Sequence, residues 1–205
     1  MMTSFRRARG IALCCGLIAA AAPAGAETAK KTVPAPPTAP ASHPPSTAPG
    51  TEPSQSLGSA ESWSAYTFTE KLGKNKTGRV CYMIGQPEKA EPAGAARKPP
   101  SAMVAHRPDE RIANVVSFVE GYPLKDGSDV LLDIGAAQFE LFTKDDSAWA
   151  RTSELDRAIV EALAKGRQAV VKGTPRKGPA TTDTYSLAGF SKALAMIDKA
   201  CDIKR

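Results

Sequence analysis

Hydrophobic and polar residues alternate along most of the chain after about residue 62, in short runs that end at glycine, proline or aspartate. Large residues alternate with small or polar ones over residues 63–69, which is typical of a strand with one buried face. Further β-prone runs occupy residues 80–84, 112–119, 130–134, 139–143, 148–150, 168–171 and 181–185. These short strands, with few helices between them, predict a mainly β fold of the β-sandwich class.

Two segments instead repeat apolar residues at helical spacing. The first is predicted between Ser153, as N-cap, and Gly166, and its apolar face consists of Leu155, Ile159 and Leu163. The second, C-terminal helix is predicted to begin at Ser186, and its apolar stripe consists of Leu187, Phe190, Leu194, Ile197 and Cys201. Gly189 interrupts this stripe; it either lets the helix approach a sheet closely or is tolerated at a cost of about 1 kcal/mol.

The N-terminus predicts export. Arg6, Arg7 and Arg9 precede an apolar run over residues 10–22, and a small-x-small pattern ends at Ala26. Residues 1–26 are therefore predicted to be a signal peptide that is cleaved after Ala26. The apolar run is too short to cross a bilayer as a stable helix. We expect the mature protein not to span the membrane, and to be periplasmic, secreted or on the outer surface.

Composition divides the rest of the chain in two. Residues 27–60 are rich in proline, alanine, threonine and serine and have almost no large apolar residue, so they predict a disordered or polyproline-like tail. This tail is interpreted as a solubilising spacer or, alternatively, as a wall-spanning arm or a docking segment for a partner. Residues 61–205 have globular composition and the length of one domain.

The predicted export determines the state in which the cysteines are expected to be found. Cys14 and Cys15 lie in the predicted signal peptide, which leaves Cys81 and Cys201 in an oxidising compartment. We predict a disulfide between them that closes a loop of 120 residues; the alternative is two buried free thiols. Two distant cysteines without a histidine at ligand spacing do not predict a metal site, and no cofactor is predicted.

The charge balance does not predict a nucleic-acid partner. The whole chain has a formal net charge of +6, but residues 27–205 carry 24 basic and 21 acidic residues. Because the two signs are interleaved, no strongly basic face of the kind that binds nucleic acid is expected.

The hypothesis that the protein is an enzyme, specifically a hydrolase, is not favoured. It would need a nucleophile, a base and an orienting group. The only histidines are His43, in the tail, and His106, which is expected at the edge of a loop. Asp129, Asp133 and Glu140 could supply carboxylates, but alternate strand positions share a face whatever the function. These three are interpreted as a solvated face, and no catalytic residue is predicted.

The most specific sequence pattern runs from Gly173-Thr-Pro-Arg176 to Thr182-Asp-Thr-Tyr-Ser-Leu-Ala-Gly-Phe190. Together with residues 121–124, 127–130 and 139–149, it resembles the invasion-associated locus B family of alphaproteobacterial exported proteins. The resemblance covers the domain from Trp63 to Cys201. It implies an immunoglobulin-like β-sandwich in the periplasm or cell envelope, with a cysteine pair and, for some members, a part in entry into host cells. It implies no catalytic residue.

A basic loop is the candidate binding site. Arg176 and Lys177 stand close to Thr182, Asp183 and Tyr185, and a cationic loop beside an aromatic suits an anionic glycan, a lipid headgroup or an acidic protein patch. The alternative is a solvated turn with Tyr185 packed inward. We therefore expect a non-enzymatic envelope protein that binds an envelope or host-surface partner, or else a periplasmic structural or homeostasis protein without host contact.

Overall fold

The computed structural model describes residues 54–205. Its first strands in chain order are β1 (Gln55–Ala60), β2 (Trp63–Lys71), β3 (Thr77–Gly85), β4 (Lys89–Glu91), β5 (Ser101–Arg107) and β6 (Ile112–Val119). They are followed by β7 (Asp129–Ile134), β8 (Ala137–Lys144), β9 (Ser147–Trp149), helix α1 (Ser153–Lys165), β10 (Gln168–Gly173), β11 (Thr181–Ser186) and helix α2 (Phe190–Ala200). The prediction of a mainly β fold with two helices, one of them C-terminal, is confirmed.

All eleven strands belong to one antiparallel sheet in the order β1-β2-β3-β5-β6-β9-β8-β7-β10-β11-β4. Strands far apart in this order nevertheless touch. The Trp63 indole on β2 donates to the Ser186 carbonyl on β11 at 3.0 Å, and the Phe118 and Tyr185 rings meet edge-to-face at 5.8 Å. The sheet is therefore rolled around its core. Because its strands are hydrogen-bonded continuously, the immunoglobulin-like sandwich label is not confirmed.

Both helices pack on the inner side of this sheet. Phe190 and Ile197 of α2 are fully buried, and the Phe190 ring meets Trp63 edge-to-face at 4.9 Å. Helix α1 contributes the buried Ile159 and contacts β6. Each helix places one apolar stripe against the sheet, which is the arrangement that the helical spacing predicted.

Both helix starts differ from the prediction. The N-cap of α1 is Thr152, whose hydroxyl accepts from the Leu155 N–H at 3.2 Å, because Thr152 rather than Ser153 has the extended backbone of a cap. Helix α2 begins at Phe190 instead of directly after Ser186, because Gly189 has a φ of 84° and ends the preceding turn. A Cβ at Gly189 would clash with the Ala60 carbonyl oxygen, so this glycine allows a close approach to β1.

Three strands were missed. Strand β1 lies inside the predicted tail of residues 27–60, so the fold begins earlier than the predicted boundary at 61. Leu57 is its only large apolar residue, so it carries little hydrophobic signal, and it is held by backbone pairing with β2. Strands β4 and β5 lie between the predicted runs of residues 80–84 and 112–119, where no strand was predicted, and β5 follows directly after Pro99 and Pro100.

The predicted signal peptide at 1–26 and the tail from residue 27 to 53 lie outside the described residues. Within residues 54–205, neither helix has the length and apolar character needed to cross a membrane.

The predicted disulfide is confirmed. Cys81 on β3 is bonded to Cys201, which follows the last turn of α2, with the two Cα atoms 6.0 Å apart. The bond fastens the C-terminal helix to the inner side of the sheet.

Candidate interaction surface

The five residues of the predicted binding loop do not form one surface. Asp183 and Tyr185 occupy inward positions of β11 and are 0% and 1% exposed, whereas Thr182 lies on the other side of the strand. Arg176 and Lys177 are exposed, and the Arg176 guanidinium pairs with Asp126 at 2.8 Å. Because β11 turns its aromatic ring into the core, the predicted cationic and aromatic surface is corrected to an exposed turn and a separate buried cluster.

Asp183 belongs to a buried polar cluster that fastens the segment before β5. Arg97, from this segment, makes two side-chain hydrogen bonds with the Asp183 carboxylate, and its side chain is only 5% exposed. Arg97 also donates to the Glu120 carbonyl at 3.2 Å and stacks over the Tyr122 ring at 5.7 Å. The neighbouring Lys98 N–H donates to the Gly121 carbonyl at 3.0 Å. These contacts fix residues 97 and 98 against the start of the 120–122 turn.

In this cluster one guanidinium faces two carboxylates. Glu120 is fully buried, and its Oε2 accepts from the Tyr122 hydroxyl at 3.2 Å and lies 3.9 Å from Arg97. Burial and the nearby Asp183 charge raise the pKa of Glu120 to about 7. The hydrogen bond to Asp183 raises the pKa of Arg97, against the effect of burial. The cluster is closed to solvent, so it is built to hold the chain in place and offers no access to a substrate.

The sequence position of His106 suggested the edge of a loop, and this prediction is wrong. His106 lies on β5, is fully buried, and has both ring nitrogens engaged: Nδ1 accepts from the Asn114 N–H at 3.0 Å, and Nε2 donates to Asp198 at 3.0 Å. Neither nitrogen is left to take a proton from a nucleophile, so the ring cannot serve as the base of a hydrolase in this arrangement.

The three predicted solvated carboxylates lie at the surface: Glu140 is exposed on β8, and the other two form ion pairs. Asp129 pairs with Arg151 at 2.7 Å and Asp133 with Lys172 at 2.8 Å. Within residues 54–205, no group of three or more histidine, cysteine, aspartate or glutamate side chains is placed to hold a metal ion.

A second apolar surface covers the side of the sheet that faces away from the helices. Alternation along β2, β3 and β5 turns Ala65, Cys81 and Val104 toward the core and the intervening residues outward. The outward set, called the outer face below, consists of Tyr66, Phe68, Val80, Tyr82, Ile84, Met103 and Ala105. Phe68, Val80, Tyr82 and Ala105 are buried, whereas Tyr66, Ile84 and Met103 are partly exposed.

Aromatic rings form the centre of the outer face. Tyr66 and Tyr82 stack with ring centroids 5.3 Å apart, and Phe68 meets Tyr82 edge-to-face at 5.9 Å. Ile84 and Met103 are partly exposed at one end. The apolar character continues onto β6, where Val115 pairs with Ala105.

Charged residues bound the outer face at its other end. Glu70 follows Phe68 by two positions on β2, and Arg107 follows Ala105 by two on β5, so both project to the same side. The two side chains form an ion pair. None of the seven outer-face residues is itself charged. The result is an apolar patch with a polar boundary.

Sequence reasoning missed the outer face because β5 was not recognised, so Met103 and Ala105 could not be placed. One signal was present. The run Val80-Cys-Tyr-Met-Ile84 is apolar at every position, which indicates a strand with both sides covered or available for contact.

One comparison with known proteins, a match to a family model, identifies the family of this chain. No curated protein matches the chain. Among solved structures, the chain is similar to invasion associated protein B from Bartonella henselae, with 20% sequence identity, a TM-score of 0.48, and coverage of 73% of this chain and 98% of that one. The family model described as invasion associated locus B (IalB) protein matches residues 63–198, most of the folded region. The chain belongs to the invasion associated locus B family.

Proposed function

We propose that the protein is an exported binding module of the bacterial envelope, and that its interaction surface is the outer face. In this proposal it contributes to the association of the bacterium with host cells. The family is not a known enzyme family. The observation that carries the proposal is the set of partly exposed apolar side chains, Tyr66, Ile84 and Met103, on the side of the sheet that faces away from the helices.

The physical argument concerns Tyr66, Ile84 and Met103, the part of the outer face that water reaches, because apolar area left in water is costly. Contiguous apolar surface with a polar boundary marks interaction sites in soluble proteins. Covering it gains about 25 cal/mol for each Å² of apolar area removed from water. Tyrosine and methionine, which form its exposed part at Tyr66 and Met103, are residues that interface centres favour.

The chemistry of the outer face selects the kind of partner. Because none of its seven residues is charged, it suits an apolar, uncharged polypeptide segment better than an anionic glycan or a lipid headgroup. Two exposed cations, Arg176 and Lys177, had suggested an anionic ligand, and Arg176 is paired with Asp126.

A pair of charge insertions tests this assignment. Ile84→Lys and Met103→Lys place a cation on the outer face, at partly exposed positions where a lysine can still reach water. We expect bacteria producing either variant to lose the association with host cells that depends on the protein, while the variants remain exported and disulfide-bonded. Leu131→Lys is the matched control, because Leu131 is partly exposed and outward on β7, outside the outer face. Equal loss in all three variants would contradict the assignment.

Protease treatment of intact cells tests the location. Digestion of the folded domain, with a periplasmic enzyme surviving as leakage control, would agree with display outside the cell. Protection until the outer membrane is opened would contradict direct host contact. The partner would then be another envelope protein, in a structural or homeostatic role.

A further inference from the structure

A pocket lies on the inner side of the sheet, between the start of β1 and the end of α2. It has a volume of about 380 Å³, which is within the range of small-molecule sites, and is called the inner pocket below. Its lining comes from β1, β2, β3 and the last residue of α2, and includes Gln55, Leu57, Thr67, Thr69, Arg79 and Ala200.

The inner pocket is separate from the outer face. Thr67 pairs with Cys81, which faces the core, so Thr67 and Thr69 project to the inner side of β2. The intervening Tyr66 and Phe68 project to the opposite side. A ligand in the inner pocket would therefore leave the outer face uncovered.

Arg79 is held at the wall of the inner pocket without being neutralised. Its Nη1 donates to the Ala200 carbonyl, at the C-terminal end of α2, at 3.0 Å. Within residues 54–205 the Arg79 guanidinium pairs with no carboxylate, whereas the Arg97 guanidinium is paired with Asp183. A guanidinium has several N–H donors, so the bond to Ala200 leaves donors free for a ligand. Among the described residues that line the pocket, Arg79 is the only charged one.

Uncharged donors stand beside this cation. Thr69 is the cross-strand partner of Arg79, on the same side of the sheet. In the described part of the chain, the Thr69 hydroxyl and the Gln55 amide have no hydrogen-bond partner, while the Thr67 hydroxyl already donates to the Val80 carbonyl at 3.0 Å. A guanidinium next to an unpaired hydroxyl and an unpaired amide is a donor set that suits a carboxylate.

The surroundings of Arg79 select a ligand with a single negative charge. The Asp109 carboxylate accepts from the Arg79 backbone N–H at 2.8 Å, and the C-terminal end of α2 carries partial negative charge. Both would repel a phosphate dianion more strongly than a carboxylate. Leu57, partly buried against the core, offers an apolar contact for a short side chain.

We propose that the inner pocket binds a carboxylate ligand that carries one negative charge and a short apolar body. The Arg79 guanidinium donates to the carboxylate oxygens, the Thr69 hydroxyl adds a further hydrogen bond, and the apolar body contacts Leu57. Two sources share this chemistry: a short free organic acid and the C-terminal residue of a polypeptide.

Amide NMR shifts of the mature, disulfide-bonded chain test the binding. Propionate represents the free acid, N-acetyl-alanyl-alanine represents the polypeptide C-terminus, and N-acetyl-alanyl-alanine amide is the neutral control. We expect both carboxylates to cause saturable shifts at Thr69 and Arg79 at millimolar concentration, with no change at Leu131, and the amide to cause none. Tighter binding of the dipeptide than of propionate would assign the site to a polypeptide C-terminus, and equal binding would assign it to a free acid. No saturable shift with either carboxylate, or the same shifts with the amide, would overturn the inference.

Three variants test the assigned residues. Arg79→Gln keeps an N–H donor for the Ala200 carbonyl but removes the charge, so it should weaken binding of the tighter carboxylate by about tenfold or more. Thr69→Val, at an exposed position, should weaken it by about two- to tenfold. Arg167→Gln is the matched control and should bind like the parent, because Arg167 is also an exposed arginine but lies outside the pocket.

The same affinity in all three variants would overturn the assignment. If Arg79→Gln loses the dispersed amide spectrum of the folded protein, Thr69→Val decides alone, and parental affinity in that variant would then count against the site.

Discussion

Among single residues, Arg97 shows how a nearly buried charge is accommodated in this fold. Its guanidinium is almost fully buried and faces two carboxylates, of which only Asp183 makes two hydrogen bonds with it. A buried charge is tolerated when it is paired and hydrogen-bonded, and removing one partner leaves an uncompensated charge in the interior. The segment before β5 therefore depends on this residue for its attachment to β11.

Arg97→Met should lower the free energy of unfolding by about 3–5 kcal/mol, because it leaves the Asp183 and Glu120 carboxylates without their cation. Arg176→Met is the matched control: its ion pair with Asp126 is exposed, and its loss should change the free energy of unfolding by less than about 1 kcal/mol. Urea denaturation of the two variants measures both values. Similar losses would contradict the difference in burial on which the prediction rests.

Two buried carboxyl groups predict how stability depends on pH. Burial raises the pKa of Glu120 and of Asp156 to about 7, above the values of 4.5 and 3.8 that are usual for these groups. A raised pKa means that the fold favours the protonated form. The stabilisation is therefore complete below the usual pKa and is lost as the pH rises through 7.

The free energy of unfolding should accordingly be larger at about pH 5 than at about pH 8, by up to about 3 kcal/mol for each group. Glu120→Gln should remove its share of this difference. Denaturant titrations across this range measure the effect. A fold that became less stable between about pH 8 and about pH 5 would contradict the sign.

At the scale of elements, alternation and short β-prone runs predicted most of the strands, and β1, β4 and β5 were missed. Residues 112–119 were predicted with the bounds that β6 has in the structure. Strand β5 has a buried histidine and an arginine at its end, so it carries no clear alternation, and it was missed. Since the outer face depends on the side chains of β5, this one omission concealed the candidate site. The buried cluster was equally hidden, because only tertiary structure brings Arg97 to Asp183.

The turn between β11 and α2 offers a test of element packing. Gly189→Ala should destabilise the protein by more than the cost of about 1 kcal/mol that a left-handed backbone imposes on alanine, because the added Cβ would also clash with the Ala60 carbonyl. Gly127→Ala is the control, since Gly127 has a similar φ of 72° but no atom within 4 Å of an added Cβ. Thermal or urea unfolding compares them. Equal losses would show that the helix does not need this close approach to β1.

At the scale of the whole molecule, the C-terminal helix closes the rolled sheet, and the disulfide holds that helix in place. Helix α2 contacts β1, β2, β3 and β5, while Cys201 at its end is bonded to Cys81. The cysteine pair was predictable from the expected export and the number of cysteines alone. The rolled single sheet was not, because strand order is set by pairings between residues far apart in sequence.

Loss of the disulfide should lower the free energy of unfolding by about 4–5 kcal/mol in the chain-entropy treatment, because the bond closes a loop of 120 residues. The double variant Cys81→Ala, Cys201→Ala avoids leaving reactive thiols. Urea denaturation of this variant beside the oxidised parent measures the loss. A change of less than about 1 kcal/mol would contradict the view that the bond constrains the unfolded chain.

The most direct test of the central claim, that the outer face is the interaction surface, is site-specific photo-crosslinking in living bacteria. A photoreactive amino acid is placed at Met103 on the outer face or, as control, at Leu131 on the outward side of β7. The account predicts a discrete adduct with another polypeptide from position 103 and none from position 131. Adducts from position 131 alone, or from neither position under conditions where host-cell association is intact, would contradict it.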